Sequence, residues 1–292
     1  MSVIFIFIDG MGTGASDSSN PFFITETPGL DRLYKEGRVF QADTTLGVKG
    51  LPQSATGQTA IFTGKNAPKL IGRHLSGRPT ENLIRIIEGN NIFLELKSKG
   101  YTVNYANVYR NEYIENISKI KSRKERPSVT TVMSLSAGLP LRNVTDYNNE
   151  SGVYHDISGD ILQESGYEVK ILTSEEAAGR LVKISRSYDF TLFEHFMSDI
   201  IGHKGDMEAA VKEVKLLDEF IAALLNELNY EEDLLVIASD HGNLEDKSVK
   251  THTMNKVSVI FYGRMADGAA IEINSLVDIM PQVIGLMEKM KK

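Results

Sequence analysis

Three aspartates and three histidines stand where apolar runs of this chain break off. Asp9 follows VIFIFI, Asp199 and His203 lie in FMSDIIGH, Asp240 and His241 in IASDHGN, and His252 in THTMN just ahead of another apolar run. Singly, each has a bland reading, because an Asp behind a strand is often a turn or helix-capping residue and a His is often structural. Gathered at one sheet edge, three carboxylates and three imidazoles would repel one another or resist desolvation unless cations sat between them. Mixed oxygen and nitrogen donors suit Zn or Mn better than Mg or Ca. Six such ligands are enough for two divalent metal ions, Asp199, His203 and His252 for one and Asp9, Asp240 and His241 for the other. Two neighbouring ions can clamp both the attacking and the leaving oxygen of a phosphoryl group.

That chemistry needs a nucleophile, and GLPQSATGQTAIFTG offers Ser54 at the start of a predicted helix over 55–62. Serine is also a preferred helix cap, and the two roles are compatible, since a helix N-terminus presents free N–H groups to an anion. Thr56 is the rival hydroxyl.

The elements that must position these residues read as alternating strands and helices. Strands are expected over 3–8, 101–108, 167–172, 189–197, 234–238 and 257–262, and amphipathic helices over 91–99, 175–185, 206–228 and 275–290. This alternation predicts an α/β fold with a doubly wound, mostly parallel sheet, whose ligands gather beyond the carboxyl ends of the strands. Residues 110–165 break the rhythm and are expected to form a small inserted lid on a core of 1–109 and 166–292; the basic run KSRKERP at 121–127 reads as a solvated helix end.

At this point four blocks in order resemble the alkaline phosphatase superfamily, nearest its cofactor-independent phosphoglycerate mutase and phosphopentomutase branch. They are Asp9-Gly10 behind the first strand, GLPQSATGQ at 50–58, DIIGHKGD at 199–206, and ASDHGN with THTMN between 238 and 255. The similarity covers roughly the first 75 residues and the last 125. It implies that Ser54 is transiently phosphorylated and touches one metal together with Asp9, Asp240 and His241, the second metal falling to Asp199, His203 and His252. Where the mutase motif has a His four residues after the nucleophile this chain has Gln58, and Lys204 stands where a small hydroxyl residue is common. Both lie close to the expected substrate, as would Arg73 and His74 of LIGRHLSGR if they reach a phosphate. The implied reaction is hydrolysis of a small phosphorylated metabolite by a phosphatase or phosphodiesterase through a phosphoserine. Phosphomutase activity is the alternative, disfavoured because the insert is small beside a mutase cap.

Other readings are weaker. Gly10-Met11-Gly12-Thr13-Gly14-Ala15 fits a dinucleotide fingerprint, but the polar, proline-containing segment behind it does not open a helix as that Rossmann motif requires. A metal-bound scaffold without turnover is a further class, which the presence of Ser54 disfavours. His195, alternating with Met197 and Asp199 on an expected strand, reads as supporting or core histidine, and His155-Asp156 as a substrate contact or a helix start. The 292 residues carry 32 Lys+Arg against 39 Asp+Glu, a net charge of -7, so no broad grip on nucleic acid or membrane is expected. Without cysteine there is no thiol chemistry. The absence of a signal-like leader or a long apolar span predicts a cytoplasmic protein.

Overall fold

In the computed structural model, which describes residues 2–117 and 126–290, six strands form one sheet. They are β1 (Ser2–Ile8), β2 (Arg38–Ala42), β3 (Val103–Tyr105), β4 (Phe190–His195), β5 (Asp233–Ala238) and β6 (Val257–Tyr262), in the order β2-β6-β5-β1-β4-β3. β1, β3, β4 and β5 run parallel, while β6 is antiparallel to both β5 and β2. The sheet is therefore mostly parallel and covered on both faces.

Strand periodicity explains the two layers of core. On β1, Val3, Phe5 and Phe7 belong to one buried cluster and Ile4, Ile6 and Ile8 to the other. The first cluster is completed by helices Ser54–Thr63, Ile92–Ser98, Val129–Ser136 and Ile279–Met290, through side chains such as Phe62, Phe93, Met133 and Val283. The second is completed by helices Pro28–Glu36, Ser174–Ser185 and Met207–Glu227, through Leu33, Leu181 and Phe220. Among the described residues no helix is long and apolar enough to cross a membrane.

Register then gathers the chemistry. Ile8 pairs with His195 and Phe7 with Ala238, so the chain leaves β1, β4 and β5 at one edge and delivers Asp9, the start of the helix that carries Asp199, and Asp240-His241 side by side. Because β6 runs the other way, with Leu235 opposite Tyr262 and Ile237 opposite Ile260, its beginning lies at that same edge. The segment carrying His252 is placed there by this reversal.

Several expected elements differ. Residues 167–172 alternate as a strand does but have no ladder partner; side chains take their carbonyls instead, Asn148 donating to Glu168 and Tyr147 to Lys170. The strand expected to reach 197 stops at His195, and Met197–Lys204 is a helix. Asp199 therefore shares a helix face with His203, not a strand face with His195. His195 instead pairs with buried Glu213. Edge strand β2 was not foreseen. Behind β1, residues 10–20 form turns and irregular chain with no helix, so the dinucleotide fingerprint lacks its structural context.

Within the segment expected to be a lid, Val129, Val132 and Met133 pack into the first core cluster, and Val144, Tyr147, Val153 and Leu162 into the second. Residues 121–125 of the KSRKERP run lie outside the described residues, and Arg126 pairs with Glu81 at 3.1 Å.

Candidate metal centre and its cavity

Ser54 is the first residue of its helix, behind N-cap Gln53, and its hydroxyl lies 2.9 Å from His241 Nε2. That nitrogen is also 3.3 Å from Asp9 Oδ1 and 3.6 Å from Asp240 Oδ2. One donor atom from each of Asp9, Asp240 and His241 falls within 4.8 Å of the other two, and the same holds for Asp199, His241 and His252. His241 thus stands between the two groups, its ring stacked on that of His252 at 3.7 Å. His203 Nε2 adjoins the second group, 3.5 Å from Asp199 Oδ2 and 3.1 Å from His252 Nε2.

The histidines are held in a common way. Nδ1 of His252 faces the Pro52 carbonyl at 2.8 Å, that of His203 the Lys250 carbonyl at 3.2 Å, and that of His241 the Gly242 carbonyl at 3.4 Å. A carbonyl can only accept, so each Nδ1 carries a proton, and each Nε2, turned toward the carboxylates, is the atom that would offer a lone pair to a cation once it gives up any proton shared with them.

The electrostatics ask for positive charge. Burial, then the negative charges of Asp9 and Asp199, push the Asp240 carboxyl well above its usual range. For Asp199 burial acts upward too, but the His252 bond, the His241 charge and the Asn243 bond outweigh it and hold the carboxyl down to about 2. Burial opposes protonation of His241, yet Asp9 and Asp199 raise it. Asp9 Oδ1 and Asp240 Oδ2 are buried and have no hydrogen-bond partner among the described residues. Two orphaned carboxylate oxygens beside inward-facing imidazole lone pairs form a donor set that divalent cations fit.

One buried side chain holds the surrounding loops. Glu245 accepts from the backbone N–H of Gly12 and Asn243, from the Thr253 hydroxyl and from the Asn255 amide, joining the turns after β1 and β5 to the segment before β6. The carboxylate fits only because residues 12 and 242 lack side chains; a Cβ at either would collide with it. Gly242→Ala is expected to cost about 1–3 kcal/mol of stability and to weaken metal uptake, read from urea unfolding and metal titration.

The centre floors a cavity of about 430 Å³, lined there by Asp9, Ser54 and Asp199. Gln58 also lines it and donates to Asp9 Oδ2 at 3.1 Å. Arg73, His74 and Lys204, expected near substrate, are not among its lining residues: Arg73 and Lys204 are exposed, and His74 faces the Val48 carbonyl. Arg78, five residues beyond Arg73, lines it instead.

Sequence reasoning also missed Glu194, which lines the cavity and accepts hydrogen bonds from Tyr105 and Thr130 at 2.7 and 2.6 Å. Burial is the main cause that raises its carboxyl pKa. The two readings of His155-Asp156 divide between them. Asp156 accepts from the backbone of Gly159 and Ile161 at a helix start, whereas His155 lines the cavity.

Burial, then the charges of His195 and Arg110, pull His155 down to about 3. The unfolded chain therefore takes up a proton near pH 6.5 that the folded protein refuses until far lower pH, and stability falls as pH drops through that window, by at most ~1.4 kcal/mol per pH unit. In His155→Leu the loss of stability between pH 7 and pH 5, measured by urea midpoints, is expected to be smaller.

The family profile of the metalloenzyme superfamily matches residues 1–290. The chain belongs to the metalloenzyme superfamily. A 2,3-bisphosphoglycerate-independent phosphoglycerate mutase of Methylobacillus flagellatus is 32% identical over 111 residues, 36% of this metalloenzyme and 22% of the mutase. For the curated relatives the matched stretch is only 22–24% of their own length. In fold, the metalloenzyme superposes on the alkaline phosphatase of the Antarctic bacterium TAB5 with TM-score 0.59 at 13% identity, covering 98% of this chain and 97% of that one. A phosphoglycerate mutase of Leishmania mexicana gives TM-score 0.53 at 12% identity, over 98% and 95%. The resemblance read from the four motif blocks is borne out, and the fold is that of the alkaline phosphatases.

Proposed function

We propose that this metalloenzyme is a two-metal phosphoryl-transfer enzyme that hydrolyses a small phosphate ester through a phosphoserine at Ser54. The observation that carries this reading is the convergence, at the cavity floor, of the Ser54 hydroxyl, two orphaned carboxylate oxygens and inward-facing imidazoles. Asp9, Asp240 and His241 would hold one ion, and Asp199, His203 and His252 the other, with Zn or Mn matching the mixed donors. Bound divalent cations supply Lewis-acid stabilisation of the attacking and leaving oxygens. Ser54 Oγ forms the new bond to phosphorus as the ester oxygen leaves, and water then cleaves the phosphoserine. The position of Ser54 in the first turn of a 10-residue helix lets the helix dipole and free N–H groups meet the phosphoryl charge.

Hydrolysis is supported by the anchoring of residues 126–165 in both core layers, through Val129, Val132 and Met133 in one and Val144, Tyr147, Val153 and Leu162 in the other. A mutase must shield its intermediate from water under a closing cap, and this segment shares the core instead. As a lid, residues 110–165 would act through Arg110, Tyr113, Ser128, Tyr154 and His155, which wall the cavity. The second reading, phosphomutase, is favoured by the names of the sequence relatives. Incubation with Mn or Zn and a panel of phosphate esters decides between them: inorganic phosphate released in step with substrate loss supports hydrolysis, isomerised ester without phosphate release supports the mutase, and neither with any metal overturns both.

A further inference from the structure

The proposed chemistry uses only the cavity floor. Above it stand six rings, those of Tyr105, Tyr109, Tyr113, Tyr154, His155 and Phe196. Tyr109 and Tyr113 stack with centroids 5.1 Å apart and planes 7° apart, and His155 and Phe196 stack at 3.9 Å and 22°. Two hydroxyls of this wall are engaged inside the protein, Tyr105 donating to Glu194 and Tyr109 bonding Thr131 at 2.7 Å, so neither is left for a ligand. Two other polar atoms are in the opposite condition. Tyr113 Oη and His155 Nδ1 are buried and without a hydrogen-bond partner among the described residues. Both lie beneath the cavity surface, and the polar side chains that line the cavity beside the rings include those of Arg78, Arg110 and Ser128, which a bound group both flat and hydrogen-bonding would match.

An acyclic three-carbon ester cannot cover ring faces or fill a cavity of about 430 Å³. That volume lies in the range of sites that bury a whole small organic ligand against mostly aromatic and apolar walls with a few polar atoms fixing its orientation. Arg78 and Arg110 add positive charge to the lining, felt by Glu194 and His155 respectively, which suits an anionic ester. We infer that the leaving group carries a flat, hydrogen-bonding heteroaromatic ring packed against this wall, so that the substrate class is the nucleoside monophosphates. The inference rests on the phosphoryl-transfer reading for its chemistry and on the wall for its specificity.

The test compares adenosine 5′-monophosphate with glycerol phosphate on the Mn-loaded protein, and measures binding of adenosine itself by calorimetry on the same protein. Wild type is expected to show kcat/KM at least tenfold higher for the nucleotide. In Tyr113→Leu and His155→Leu the ratio of the two kcat/KM values should fall at least fivefold and adenosine binding should weaken, with Tyr113→Phe smaller in effect. Equal or better use of glycerol phosphate, or adenosine that fails to bind wild type, overturns the inference while leaving phosphoryl transfer standing. Turnover of neither ester, nor of any in the panel above with Mn or Zn, overturns the phosphoryl-transfer reading; adenosine binding that the Tyr113 and His155 substitutions weaken would still support the ring subsite, and binding they leave unchanged would refute it.

Discussion

Ser54→Ala is expected to lower turnover of every phosphate ester by at least about 1,000-fold, because in the proposed reaction it removes the atom that bonds to phosphorus while leaving the Asp and His metal ligands in place. The fold should tolerate the change. Ser54 is not the helix cap, which is Gln53, and its hydroxyl makes its bond to His241, not to the helix backbone. The rival hydroxyl is already committed: Thr56, fully buried, donates to the Gln53 carbonyl and accepts from the Leu75 N–H. Thr56→Val should therefore cost stability and spare chemistry. The checks are phosphate release, thermal melting and metal content for both variants; a Ser54→Ala protein that keeps a tenth of wild-type activity would remove Ser54 as nucleophile.

Metal should act on stability as strongly as on turnover. Adding Zn or Mn to chelator-treated protein at about 1,000 times its dissociation constant stabilises the fold by ~4 kcal/mol, or roughly 5–10 °C in Tm for a chain of this size. Asp240→Asn is expected to invert the ordering. Burial and the charges of Asp9 and Asp199 raise the Asp240 pKa in the folded state. In metal-free protein its contribution is thus fully present below the ordinary Asp range and is lost as pH rises above it. Asparagine removes that penalty, so the metal-free variant should melt at or above metal-free wild type at pH 7, yet gain much less on adding metal. A variant that melts lower without metal and gains as much with it would contradict the ligand assignment.

Much of this arrangement was legible because it is periodic or local. The β1 run alternates between two cores, and Asp9, Asp240 and His241 follow their strands directly, so register alone brings them together. His252 stands out as a ligand by its residue type beside an apolar run, but its place at this edge does not follow from the pattern. A residue preceding a parallel strand belongs at the opposite edge, and nothing in the 257–262 run announces that β6 is reversed. Residues 167–172 failed for the complementary reason: their alternation is genuine, but a strand also needs a neighbour, and here side chains supply the partners. Glu194 and Glu245 carry no spacing signal, because a single buried carboxylate is defined by donors far away in sequence. The same is true of the carbonyls that fix the histidine tautomers, and of the loop path that brings Arg78 to the cavity while leaving Arg73 outside.

Glu245 has a consequence for how the protein acquires its ions. All four of its donors are backbone N–H groups, a hydroxyl or an amide, none of them a candidate ligand atom, and all lie in the loops that carry those ligands. The receptacle is therefore built before any cargo arrives. Stripped protein should be rechargeable in place, as quickly as ions diffuse and shed their water, with no renaturation lag. Which ion it carries would then follow the supply at hand rather than the moment of synthesis.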